Sequence, residues 1–246
     1  MTTLSLVIPA YNEEARLSAL FEVLERSADA AAAAAGFELL EVLIVDDGSS
    51  DRTRSLLEGS RLPKLRPILD GRVNRGKGAA IADGVREAGG EYVLLVDVDL
   101  STPLEELGKL AAAIREGADL AIGSRAVPGA VVERGPVLRK ITGAVFASTV
   151  RMLTGLDVRD TQNGFKLLPT AVGRHLLSEQ LSPGFAFDVE LLVRAKVERL
   201  RIAEVPVLYV HDSRSRVRVV SASVRMLRDV ISIAYRLRPR TGMQID

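Results

Sequence analysis

The chain has no cysteine and only two histidines in 246 residues. The first absence excludes disulfides, thiolate metal sites and a cysteine nucleophile, and two histidines are too few for a histidine-based zinc centre. No stretch reaches the roughly 18 uncharged apolar residues of a membrane span. The longest candidate, Ile141 to Val150, is bounded by Arg139, Lys140 and Arg151. No basic segment followed by an apolar one opens the chain, so no signal peptide is read and a cytoplasmic setting is expected. Charge of one sign is lacking too. With 33 basic against 32 acidic side chains the net charge is +1, so no global field selects for nucleic acid and any basic site is local.

What remains, 47% hydrophobic and 26% charged residues, suits one soluble globular domain. Apolar strand-like runs alternate with helical stretches: Leu4 to Ala10, a helix from about Glu13 through the alanine tract, Leu39 to Asp47, and Leu65 to Leu69. A helix from Gly76 to Ala88, a strand from Tyr92 to Asp99, a helix from Pro103 to Glu116 and a strand from Asp119 to Gly123 follow. Runs this rich in Val, Ile and Leu are buried on both faces, which predicts a doubly wound, mostly parallel α/β sheet. Thr102-Pro103-Leu104-Glu105 reads as a capped helix start. Beyond Arg125 the regularity breaks into a Gly/Pro/Arg-rich loop, a helix to about Thr154 and a short strand from Phe165 to Leu168. Two more helical stretches, a strand from Ile202 to Val210 and an Arg-rich amphipathic helix from about Ser221 to Arg238 complete the chain.

Ligands of open parallel sheets bind outside the carboxyl ends of the strands, and there the polar residues gather. Pro9 to Glu14, Asp46 to Asp51, Asn74 to Gly78, Asp97-Val98-Asp99 and Gly123-Ser124-Arg125 follow five successive strands. If Asp97 and Asp99 still belong to the strand, residues i and i+2 share a face, and both carboxylates converge on one divalent cation. Asp51 with Ser49 reads as an ordinary turn and cap. Gly71-x-x-x-x-Gly76-Lys77-Gly78 comes within one residue of a P-loop, but Gly78 replaces the hydroxyl that a P-loop needs on Mg²⁺. The loop still suits a diphosphate at a helix N-terminus.

In their order these segments resemble the family 2 glycosyltransferases of the GT-A fold. Ser5 to Glu14, Val45 to Thr53 and Asn74 to Gly78 carry the likeness, and Arg159 to Lys166 with Phe187 to Leu192 narrow it to the polyprenyl-phosphate branch. The resemblance implies a nucleotide-sugar half at residues 1–125, an acceptor half of the same domain at 126–220, and a basic C-terminal helix and tail at 221–246. It implies a donor site of Pro9, Ala10, Tyr11, Glu13, Val45, Asp46, Asp47, Gly76, Lys77, Asp97, Val98, Asp99 and Arg125. Within it Asp47 would accept a hydrogen bond from nucleoside or ribose. Asp97 and Asp99 would hold Mg²⁺ or Mn²⁺, and UDP-glucose is the implied donor, with GDP-mannose the alternative.

The acceptor decides the mechanism. A sugar hydroxyl needs a general base, for which Asp160, Asp188 and Glu190 are candidates. A polyprenyl phosphate, with a second pKa near roughly 6, is already charged and needs cations instead. Arg139, Lys166, Arg214 and Arg216 are the candidates, with Arg218 sharing a face with the last two if extended. The segment His211 to Arg216 departs from the Gly-Ser-Lys-like element of the relatives. Val224 to Leu237, apolar and Arg-rich at helical spacing, suits either peripheral contact with anionic lipid or packing on the domain. A catalytically silent nucleotide-sugar-binding module is the alternative from another class.

Overall fold

In the computed structural model, residues 1–69, 73–133, 137–210 and 219–237 are described, with 137–142, 144, 145 and 219–225 described by their backbone alone. Strand β1 (Thr2–Ala10) leads to helix α1 (Glu14–Ala34), β2 (Phe37–Asp46), α2 (Thr53–Glu58), β3 (Leu65–Ile68) and α3 (Lys77–Glu87). Then come β4 (Tyr92–Leu95), a short 3-10 turn at Leu104–Glu106, α4 (Leu107–Arg115), β5 (Leu120–Ser124) and β6 (Val131–Glu133). Helix α5 (Val137–Thr154), β7 (Lys166–Pro169), α6 (Thr170–Leu177), α7 (Phe187–Val197), β8 (Ile202–Pro206), β9 (Leu208–Val210) and α8 (Val219–Arg236) follow.

Seven strands form one sheet in the order β3-β2-β1-β4-β7-β5-β8. All run parallel except β7, which is antiparallel to both β4 and β5. The expected mostly parallel sheet is therefore present, with residues alternating between two cores. Leu4, Leu6 and Ile8 of β1 pack with Leu17, Leu20 and Leu24 of α1 and with α4 on one face. Val7, with Leu43 and Leu95, packs with α3, α6 and α7 on the other. The alanine tract lets α1 lie close to that first face: Ala31, Ala32 and Ala35 are buried, and Gly36, at φ 88°, turns the chain into β2.

Three local expectations are corrected. β4 ends at Leu95, so Asp97 and Asp99 lie in the turn beyond the strand. The segment from Ile202 to Val210 is two strands, because β8 pairs with β5 and, after Pro206 and buried Val207, β9 pairs parallel with β6 in a separate two-stranded sheet. The missing N–H of proline limits how far a ladder continues. Thr102 caps no helix; the 3-10 turn starts after extended Pro103 without a side-chain cap, and α4 begins only at Leu107.

Helix α3 crosses β1 and β2 at Gly84, where a Cβ would overlap Val7 Cγ1 and lie 3.1 Å from Val45 Cγ2. Replacement of this buried glycine overpacks the helix–sheet contact. The variant Gly84→Val is expected to lose about 1–3 kcal/mol, seen as a lower urea midpoint at constant m-value; an unchanged midpoint would contradict so close a contact.

Candidate active site

Three loops at the carboxyl ends of β1, β2 and β3 are tied together by short polar side chains. Asn12, at φ 55°, accepts hydrogen bonds at Oδ1 from the backbone N–H groups of Ser50 (2.8 Å) and Asp51 (3.3 Å). Asp51 accepts from Glu14 N and Thr53 N at 3.2 and 2.9 Å, the turn-and-cap role its sequence suggests. Asp47 is almost wholly buried, and its carboxylate takes Arg75 N at 2.9 Å, Gly76 N at 2.7 Å and Asn74 Nδ2 at 2.9 Å. Its expected partner was a nucleoside; the structure commits it to building the 74–76 loop. Neighbouring Asp46, 1% exposed, accepts Ser49 N at Oδ1, while Oδ2 has no hydrogen-bond partner among the described residues. An unpartnered buried carboxylate oxygen is costly alone and suits an N–H or O–H donor from a ligand.

Asp97 lies at the centre. Lys77, the first residue of α3, places its Nζ 2.6 Å from Asp97 Oδ1 and 4.0 Å from Asp188 Oδ2. The ammonium also lies 5.4 Å from the Phe187 ring centroid. Burial alone would raise the Asp97 pKa, but the charge and hydrogen bond of Lys77 outweigh it and hold the group below the ordinary carboxylate range. Burial favours neutral Lys77, yet the Asp97 and Asp188 charges raise its pKa and keep it protonated. Asp99 goes the other way, raised first by burial and then by the charge of Asp97. The turn carrying the pair is tight: Leu100 has φ 46°, unusual for a bulky residue, and its N–H donates to Asp97 O at 3.0 Å. At Gly164 a Cβ would fall on the Asp97 carboxylate, 2.5 Å from its Cγ. Only glycine leaves that carboxylate its place.

Behind this centre the charges are paired and buried. Lys166, 0% exposed, donates to Asp188 and to the Asn163 carbonyl. Glu190 accepts Leu181 N and Ser182 N, both at 2.7 Å, and Arg194 Nε at 2.8 Å. Arg125 grips Asp160 with Nε and Nη2 at 2.7 and 2.8 Å, adds its backbone N–H at 2.9 Å, and stacks over Tyr209 with Cζ 4.9 Å from the ring centroid. Burial pushes the Asp160 carboxyl up, and Arg125 more than reverses it, leaving the pKa lowered. A hollow beside Asp97 and Asp99 is lined in part by Ser101, Asn163, Phe165 and Tyr209.

The family description Glycosyl transferase family 2 matches residues 5–179. The chain belongs to glycosyltransferase family 2. A dolichyl-phosphate beta-glucosyltransferase of Dictyostelium discoideum is 32% identical over 95% of this chain and 74% of its own length. Its Drosophila melanogaster counterpart gives the same figures. A dolichol-phosphate mannosyltransferase of Pyrococcus furiosus is 33% identical over 82% of this chain and 55% of its own. Among solved structures, glucosyl-3-phosphoglycerate synthase of Mycobacterium tuberculosis, with Mn²⁺, UDP and glucosyl-3-phosphoglycerate, superposes at TM-score 0.69. It is 21% identical, covering 98% of this chain and 82% of that one, a likeness that speaks for the GT-A fold.

This glycosyltransferase thus brings together most of its expected donor residues. Pro9, Ala10, Tyr11 and Glu13 follow or end β1, Val45 and Asp46 end β2, Gly76 and Lys77 open α3, and Asp97, Val98 and Asp99 follow β4. Arg125 follows β5 but spends its guanidinium on Asp160. Lys166 was expected to meet an acceptor phosphate, and its burial against Asp188 removes it from that role. Arg139 lies on α5 with its side chain outside the described residues, as are His211, Arg214, Arg216 and Arg218 entirely. Gly164 and Tyr209 were not among the expected site residues. A glycine two places before the polar start of a strand was the available signal for the first; nothing local marked the second.

Two outcomes follow for the glycosyltransferase. Replacing Lys166 by Met strands the buried Asp188 carboxylate, an imbalance that typically costs about 3–5 kcal/mol; the melting temperature should fall by roughly 10 °C, whereas an acceptor-binding lysine would leave it unmoved. Because the folded pKa of Asp160 is lowered, its stabilisation is complete above about pH 4 and is lost as pH falls further. The stability gap between wild type and Asp160→Asn, measured by urea unfolding, should therefore be constant near neutrality and narrow in acid.

Proposed function

We propose that this enzyme transfers glucose from UDP-glucose to a polyprenyl phosphate with inversion at the anomeric carbon. One observation carries the acceptor assignment: each carboxylate considered as a general base is already committed. Asp160 is clamped by Arg125, Asp188 by Lys166 with Lys77 at 4.0 Å, and Glu190 by two backbone N–H groups and Arg194. A hydroxyl acceptor would need one of them free. A phosphate needs none, since it arrives as an anion able to attack the anomeric carbon directly. The attack forms the new C–O bond as the bond to the nucleoside diphosphate breaks, and one in-line displacement inverts the centre. The names of the relatives, β-glucosyltransferases acting on dolichyl phosphate, support both choices.

Within the donor half, residues 1–125, Pro9, Ala10, Tyr11, Glu13, Val45 and Asp46 hold base and ribose, with the unused Oδ2 of Asp46 replacing Asp47 as acceptor. Gly76 and Lys77 approach the diphosphate, and Val98 spaces the two aspartates. Asp97 and Asp99 hold Mg²⁺ or Mn²⁺. The donor set fits: two hard oxygen ligands on one turn, the first with its side chain 39% exposed and its charge disfavouring charge on the second. Among the described residues no cluster of three or more His, Cys, Asp or Glu could hold a metal alone, so an ion at Asp97 and Asp99 would depend on the substrate for further ligands. Bound there, the ion neutralises charge developing on the departing diphosphate.

Residues 126–220 form the acceptor half, with Arg139, Arg214 and Arg216 as the phosphate-binding cations. The enzyme works at the cytoplasmic membrane surface, peripherally held by residues 221–246. Helix α8 buries Val230 and Ile233 in the core and exposes Ile231 and Tyr235 beside Arg228 and Arg236, an outer face suited to a lipid interface. No helix among the described residues is long and apolar enough to cross a membrane.

A panel of UDP- and GDP-sugars, offered with a short polyprenyl phosphate and Mn²⁺ and read by mass spectrometry, tests the reading. UDP-glucose should give the glycolipid, and Asp97→Asn or Asp99→Asn should slow it at least about a hundredfold, the scale of losing one electrostatic stabiliser. Product from GDP-mannose alone would replace the donor, and no glycolipid from any donor would sink the proposal.

A further inference from the structure

Lys77 has two anionic seats within reach of one ammonium group. In the first, its Nζ lies 2.6 Å from Asp97 Oδ1. The second is Asp188 Oδ2, 4.0 Å away, whose sister oxygen is held by Lys166. The Phe187 ring, its centroid 5.4 Å from Nζ, favours a cation in this pocket. Asp97 has little room for a further cation while Lys77 holds it. Gly164 backs the carboxylate so closely that a Cβ there would overlap both oxygens, and Lys77 occupies Oδ1. A divalent cation needs a carboxylate oxygen at roughly 2.0–2.6 Å, which sets it against an ammonium already hydrogen-bonded to the same group. Like charges that close repel even in a polar medium.

The balance of charge points the same way. Asp97, Asp99 and Asp188 bring three carboxylates to the site, and Lys77 and Lys166 compensate two of them. One uncompensated carboxylate is a poor seat for a divalent cation by itself, whereas a nucleoside diphosphate brings the further anionic oxygens. We infer that Lys77 is a resident counter-cation of the metal site. It holds Asp97 Oδ1 in the free protein, passes to Asp188 when a divalent cation takes that carboxylate, and so makes tight cation binding depend on the diphosphate arriving with it. This rests on the assignment of Asp97 and Asp99 to the cation given above. Lysine suits the exchange, because its ammonium is a point charge on a flexible stem with no planar fork to realign. Lys166 keeps the second seat in place, since it is buried between Asp188 and the Asn163 carbonyl.

Calorimetric titration with Mn²⁺, first alone and then with UDP present, reads the exchange without turnover. Wild type should bind Mn²⁺ weakly alone and at least about tenfold more tightly with UDP, a coupling of ordinary size between two ligands. Lys77→Met and, independently, Lys77→Gln should bind Mn²⁺ alone about tenfold more tightly than wild type does, again within that range, and gain less from UDP. Unchanged or weaker binding of Mn²⁺ alone by the folded variants would overturn the inference. A crystal structure of wild type at saturating Mn²⁺ without nucleotide needs no variant to fold, and Lys77 Nζ should there lie nearer Asp188 Oδ2 than Asp97 Oδ1. A cation on Asp97 and Asp99 with Nζ still on Asp97 would overturn the inference and leave the metal assignment standing. No cation at this pair, even with UDP, would overturn both.

Discussion

Everything at the candidate site depends on keeping the Asp97 carboxylate ionised in a half-buried place where desolvation alone would raise its pKa. Lys77 achieves this from the first turn of α3, at the end of a loop that is itself shaped by Asp47. The pairing is reciprocal: burial penalises each charge, and each partner restores the other. Asp188 and Lys166 extend the alternation inward, so opposite charges follow one another from the solvent-facing turn into the core. A buried ion pair adds little net stability but is costly to break. Its value here is positional, because few other arrangements of these groups leave every charge compensated.

The strand-end loops were legible because their chemistry is local. A run of Val, Ile and Leu that stops at Asp or Asn marks a buried parallel strand reaching solvent, and five such stops in order define one edge of a sheet. The division of labour within a motif was less legible. Asp46 and Asp47 are adjacent and chemically identical, yet one builds a loop and the other keeps an oxygen free. That difference depends on residues 74–76, brought there by the β2–β3 pairing and invisible to spacing.

The basic residues misled for a related reason. Lys166 reads from sequence as one of several cations available to an acceptor phosphate. Its burial follows from β7 lying between β4 and β5, in the middle of the sheet. An antiparallel strand inserted into a parallel sheet reverses which of its ends carries function, so Asn163 and Gly164 precede their strand where all the other site motifs follow theirs. Arg125 is likewise as close to the site as its position predicts, but Asp160 reaches it first.

The central place of β7 also bears on how the protein emerges from the ribosome. β4 and β5 do not pair with each other; β7 joins them, and it is supplied only by residues 166–169. A nascent chain that has finished β5 therefore holds one four-stranded fragment with β4 at an unpaired edge, and β5 with no partner strand yet made, an exposure that invites association with other chains. Asp97 and Asp99 are synthesised well before the glycine that backs them, so the edge that carries them acquires its final shape as the sheet closes.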